Sequence, residues 1–71
     1  MAFSHAQYDV LERAVAAEQR IAVVRRGVTW IIVAQRLEYR GGREILMSRH
    51  PSTGDPMSFA IDEIEHIEVI R

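Results

Sequence analysis

A chain of 71 residues has room for one hydrophobic core and no second domain, and with 48% hydrophobic and 27% charged residues it lies outside the composition of disordered chains. With no cysteine, neither a disulfide framework nor a thiolate metal site can brace it, so packing or self-association must supply stability. The net charge of −1 hides a split: residues 1–19 carry three acids against Arg13 (−2), residues 20–49 seven arginines against Glu38 and Glu44 (+5), and residues 50–71 five acids against Arg71 (−4).

Ser4-His5-Ala6-Gln7 has the spacing of a capping box, and Tyr8, Val10, Leu11, Ala14 and Val15 follow at helical spacing, which predicts a helix over 4–19 with one apolar side. From Arg20 the pattern changes to β-branched runs broken by glycine and proline. Five strands are expected, at 20–26, 28–40, 43–49, 57–61 and 65–70. Gly27 marks the first turn and Gly41-Gly42 a two-residue hairpin. His50 to Pro56 reads as a longer loop, and Asp62, Glu63 and Ile64 leave space for a 3₁₀ turn with Asp62 as its cap. A second strand of thirteen residues is too long to stay flat. Bent between two half-sheets, it would close five strands into a small barrel, so the expected fold is mainly β with an N-terminal α-helix, an Sm-like or SH3-like barrel. The longest apolar run, Trp30 to Ala34, is too short to cross a bilayer, and no charged n-region is followed by an apolar stretch of roughly 7–15 residues; the expectation is a cytoplasmic chain without membrane contact.

Leu11-Glu12-Arg13-Ala14, the Arg40-Gly41-Gly42-Arg43 hairpin, Thr53-Gly54 and the ending Phe59-Ala60-Ile61-Asp62-Glu63-Ile64-Glu65-His66-Ile67-Glu68-Val69-Ile70 resemble the WYL domains of bacterial regulators. The Trp-Tyr-Leu motif of that family falls here on Glu44-Ile45-Leu46, of which only the leucine matches. Through Tyr8-Asp9-x-Leu11-Glu12-x-Ala14 the chain is also similar to the Rof family of small Sm-like inhibitors of the transcription terminator Rho. The first resemblance implies a transcription-regulating barrel that senses nucleic acid or a nucleotide-like ligand; the second implies a protein partner.

Pairing across a two-residue Gly41-Gly42 turn sets Arg40 opposite Arg43, Glu38 opposite Ile45, Arg36 opposite Met47 and Ala34 opposite Arg49. Strict alternation then puts Arg36, Arg40, Arg43, Arg49 and Trp30 on one face. Like charges opposed across a ladder are destabilising, and arginines beside an aromatic ring suit a nucleic-acid strand, whose phosphates and bases they would meet. The alternative is that Arg40 and Arg43 are solvated hairpin ends balanced by Glu38 and Glu44, with Trp30, beside Ile31 and Ile32, in the core. A bulge in the second strand would rearrange the face.

No catalytic constellation is legible. His5 and Asp9 are four apart but two ligands on a first helical turn are no metal site; His66 reads as part of an acidic last strand; Ser52-Thr53-Gly54-Asp55 reads as loop, not phosphate loop; and His50 could join the arginines at low pH. A non-enzymatic binding module without cofactor or metal is expected. Its partner is either nucleic acid or another anionic ligand on the arginine face, or a protein, a second copy included.

Overall fold

The computed structural model describes residues 4–70, in the order α1 (His5–Ala17), β1 (Arg20–Arg25), β2 (Val28–Arg40), β3 (Arg43–Arg49), β4 (Pro56–Ala60), a 3₁₀ turn (Ile61–Glu63) and β5 (His66–Val69). Ser4 opens α1 by accepting from the Gln7 N–H at 3.2 Å, as the capping-box spacing predicts. The helix stops at Ala17 and not at Gln19, because Glu18 enters the left-handed region (φ 49°) and the Gln19 N–H closes back on the Ala14 carbonyl at 2.9 Å. The 3₁₀ turn lacks the expected cap: Ala60 precedes it, and Asp62 lies within it.

Two tight hairpins fix the register. Arg25 faces Val28 across Arg26-Gly27 and Arg40 faces Arg43 across Gly41-Gly42, and all four turn residues have positive φ (52°, 74°, 56° and 78°), the two-residue type I′ geometry. Three of the four are glycines. Arg26 is the exception, and a side chain held in that conformation costs roughly 1–2 kcal/mol.

The strands form one antiparallel sheet in the order β4-β3-β2-β1-β5. β4 and β5 are its two ends and no ladder joins them, so the sheet is open where a closed cylinder was expected. It nonetheless curls. The Arg25 guanidinium carbon on β1 lies 4.7 Å from the Phe59 ring centre on β4, although three strand spacings would part those strands by roughly 14 Å in a flat sheet.

The concave face holds the core. Ile21, Val23, Ile32, Ala34, Leu46, Phe59 and Ile67 from the five strands meet Leu11 and Ala14 of α1 and Ile64 beyond the 3₁₀ turn, all buried. Each large side chain buried there contributes roughly 1.5–3 kcal/mol, the main source of stability in a chain without cross-links. Ser48 is the one polar residue buried beside them among the described residues, and its hydroxyl donates to the Met57 carbonyl at 3.0 Å.

α1 also protects a sheet edge. Ile70 N–H donates to the Arg20 carbonyl, so the alternation of the ladder turns the backbone groups of Ile67 and Val69 toward the open side of β5. Gln7 does not complete the capping box; its Oε1 accepts from the Ile67 N–H at 2.7 Å and closes part of that edge. Among the described residues no helix is long and apolar enough to cross a membrane.

Candidate functional site

Which residues share a face with the β2 and β3 arginines follows from one irregularity in β2. Arg40, Glu38 and Arg36 face Arg43, Ile45 and Met47 as the hairpin predicts, but Ala34 then faces Ser48 and Val33 faces Arg49. Gln35 is the extra residue of a β-bulge, and it reverses the inside-outside alternation for everything before it on β2. Two expectations are corrected as a result: Ala34 does not pair with Arg49, and Trp30 does not share a face with the arginines. Trp30 points inward with Ile32 and Ala34 and meets Phe59 edge-on, ring centres 6.1 Å apart.

Arg36, Arg40, Arg43 and Arg49 do lie together on the convex face, as expected. Cross-strand pairing adds Arg20, opposite Val33, so that among the described residues five arginines share this face with two glutamates, Glu38 and Glu68. Ala22, Val24, Ile31, Val33, Ile45 and Met47 lie between them, with Ile31 left 41% exposed. The face is thus aliphatic at its centre and cationic around it, with the His66 imidazole opposite Val24 and no Phe, Tyr or Trp among the described residues.

Most of the expected cations are already matched by carboxylates. Glu38 sits between Arg36 and Arg40, bonded to the Nε of each, with Arg40 Nε at 2.9 Å. The Arg36 bond, with Arg40 behind it, holds the Glu38 carboxyl below its usual range. Arg43 donates to Asp62 at 2.7 Å and Glu63 at 3.4 Å, which lowers the Asp62 carboxyl and raises the guanidinium. These pairs are exposed, so each holds its partners in place more than it stabilises the fold. Glu44, the other expected counter-charge, faces inward and accepts from the Tyr8 hydroxyl of α1. That bond, with burial, pushes the Tyr8 phenol up to about 12.

Arg49 differs from the other four. It is half-buried, one of its terminal guanidinium nitrogens is out of contact with solvent, and that nitrogen has no partner among the described residues. A buried unsatisfied donor is uncommon in folded proteins and invites an acceptor. Arg20 stands two strands away in the same cross-strand row, about 10 Å off at the backbone. Between them Val33 is only 8% exposed although it faces outward. Two long side chains flanking a small aliphatic floor can converge on one oxyanion, each presenting a planar fork of N–H donors.

Sequence reasoning missed Arg20 because it reads as the first residue of an isolated strand; only the pairing of Arg20 with Val33 and of Val33 with Arg49 places it beside Arg49. The His50 Nδ1 accepts from the N–H groups of Ser52 (3.1 Å) and Thr53 (3.3 Å), which ties the imidazole into its own loop. His5 and Asp9 have no third ligand: no cluster of three or more metal-binding side chains occurs among the described residues. A separate cleft of about 320 Å³ between α1 and β5 is lined by Val10, Arg13, Ala17, Gln19 and Val69, away from the arginine face. No protein-family model, curated protein or solved structure matches the chain.

Proposed function

We propose that the chain is a non-catalytic binding module that takes a phosphate-bearing ligand, nucleic acid or a nucleotide, on its convex face, with Arg49 and Arg20 as the primary contacts. The observation that carries this reading is the buried guanidinium nitrogen of Arg49, without a partner among the described residues, beside Arg20, which meets no carboxylate among the described residues. Arg36, Arg40 and Arg43 form an outer ring whose counter-charges exchange for ligand phosphates as the strand extends. Because the face carries no Phe, Tyr or Trp among the described residues, recognition runs chiefly through the backbone of the ligand, with Ile31 and Val33 as an aliphatic floor. The curl of the sheet, the bent β2 and the helix at its front are consistent with an Sm-like or SH3-like barrel left open between β4 and β5. Transcription regulation in the manner of the WYL domains is the role that best fits such a module.

The test is fluorescence anisotropy with a labelled single-stranded oligonucleotide across a salt series. Affinity should fall steeply with salt, and Arg20→Ala with Arg49→Ala should weaken it more than Arg36→Ala with Arg43→Ala. Binding that ignores salt, or no binding at all, refutes this reading.

A second reading is a protein-interaction or self-assembling module. It is favoured by the edge of β4, where the His50 N–H to Asp55 carbonyl bond sets the ladder so that Ser58 turns its backbone groups away from β3. Light scattering separates the two, since this reading requires a mass that grows with concentration in the absence of nucleic acid.

A further inference from the structure

A second buried donor without a partner among the described residues lies on the other face of the sheet, near the β1–β2 hairpin end, beside a half-buried arginine. Arg25, the last residue of β1, holds its guanidinium 4.7 Å over the Phe59 ring and 5.6 Å over the Trp30 ring, and no acceptor meets it among the described residues. The Trp30 indole N–H is buried and has no partner among the described residues either. Glu63 reaches the same hairpin tip but pairs with Arg26 (3.7 Å) and Arg43 (3.4 Å) and leaves Arg25 its positive charge. The tip is strained as well, since Arg26 occupies a left-handed position at φ 52° that glycine or asparagine would fill without penalty, and Val28 beside it is 51% exposed.

We propose that Arg25 and Trp30 form a second ligand site, distinct from the convex face, that binds a single oxyanion. The guanidinium lies against the two rings, which restricts its movement, and Arg25 is only half-buried, so its fork of N–H groups can meet a carboxylate or phosphate in bidentate fashion. Drawing the guanidinium toward that anion uncovers the Trp30 N–H as a further donor. The aromatic pair thus acts as a rigid backing for a movable cation, and Val28 offers an aliphatic contact to the body that carries the anion. This proposal does not depend on the convex-face reading, because the two sites share no residue and lie on opposite sides of the sheet.

Trp30 is the only tryptophan of the chain, so its emission and its indole N–H resonance report on this site alone. The full chain is titrated at constant ionic strength with sodium acetate, sodium phosphate and adenosine monophosphate. A saturable change at Trp30 is expected, with the affinity reduced at least tenfold by Arg25→Lys, which keeps the charge and removes the fork, and unchanged by Arg20→Ala with Arg49→Ala. Saturation by all three probes assigns an isolated oxyanion; saturation by one assigns the body that carries it. The proposal is overturned if the folded parent chain shows no saturable Trp30 response to any probe, or if Arg25→Lys, checked as folded by circular dichroism, responds with the parent's affinity.

Discussion

Val33 lies directly opposite Arg49 on the convex face, where an unbroken ladder would have placed Ala34. That one-residue displacement at Gln35 keeps Ala34 and Ile32 in the core while Arg36 and Arg40 face solvent. Deleting Gln35 would remove the extra residue and leave an unbroken ladder in which Ala34 still faces Ser48 and Val33 still faces Arg49, so Trp30, Ile32 and Ala34 stay inside. The deletion variant is expected to keep cooperative thermal unfolding, and Gln35→Ala, which keeps the extra residue, should shift the urea midpoint only slightly. Loss of the cooperative transition in the deletion variant would contradict the face assignment.

Tyr8 ties α1 to β3 through Glu44. Tyr8→Phe removes the hydroxyl and leaves the half-buried Glu44 carboxylate short of a donor, at a cost of roughly 1.5–3 kcal/mol in urea unfolding. The phenol's value is raised from 10.0 to about 12 in the folded chain, so its contribution is complete below pH 10 and is lost as pH rises through 12. Unfolding curves between those limits should show a stability loss that Tyr8→Phe lacks.

At the acid end the sign is opposite. Glu38 and Asp62 ionise more readily when folded than at their ordinary values of 4.5 and 3.8, so what they contribute is present above that range and disappears as pH falls below it. Asp62 is solvent-exposed and Glu38 is partly exposed between two exposed arginines, so the expected effect is small. Glu38→Gln combined with Asp62→Asn should flatten the urea midpoint between pH 5 and pH 3 relative to the parent chain. The same Glu38→Gln change frees Arg36 and Arg40, and oligonucleotide affinity at neutral pH is expected to rise.

Gln7 guards the β5 edge by accepting from the Ile67 N–H. Gln7→Leu deletes that acceptor and exposes a strand edge, so a loss of about 1 kcal/mol and a concentration-dependent increase in particle size by light scattering are expected. An unchanged, monodisperse variant would show that the edge is closed by other means.

The helix with its Ser4 cap, the five strands and the Gly41-Gly42 hairpin were legible because each is written in local chemistry: a side-chain acceptor before an amphipathic run, β-branched runs, and paired residues that tolerate positive φ. The bulge was not, since nothing about Gln35 marks it locally; what fixes it is the combined demand that Leu37, Ala34 and Ile32 all reach one core. Trp30 was misplaced for that reason alone. The four arginines after the bulge kept their common face because their register is set by the nearby turn. Arg20 and Arg25, by contrast, acquire their meaning from strands far along the chain, through Val33 and Phe59 respectively, and no spacing rule carries that information. The open end between β4 and β5 is likewise a property of how far the sheet curls.

The most direct measurement is an NMR titration of the arginine Nε–H resonances with a short single-stranded oligonucleotide. The resonances of Arg49 and Arg20 should move first and furthest, followed at higher saturation by Arg36, Arg40 and Arg43, with Arg13 unmoved. Shifts that begin at Arg13, or that leave Arg49 and Arg20 in place while binding saturates, would contradict the assignment of the convex face as the anion site.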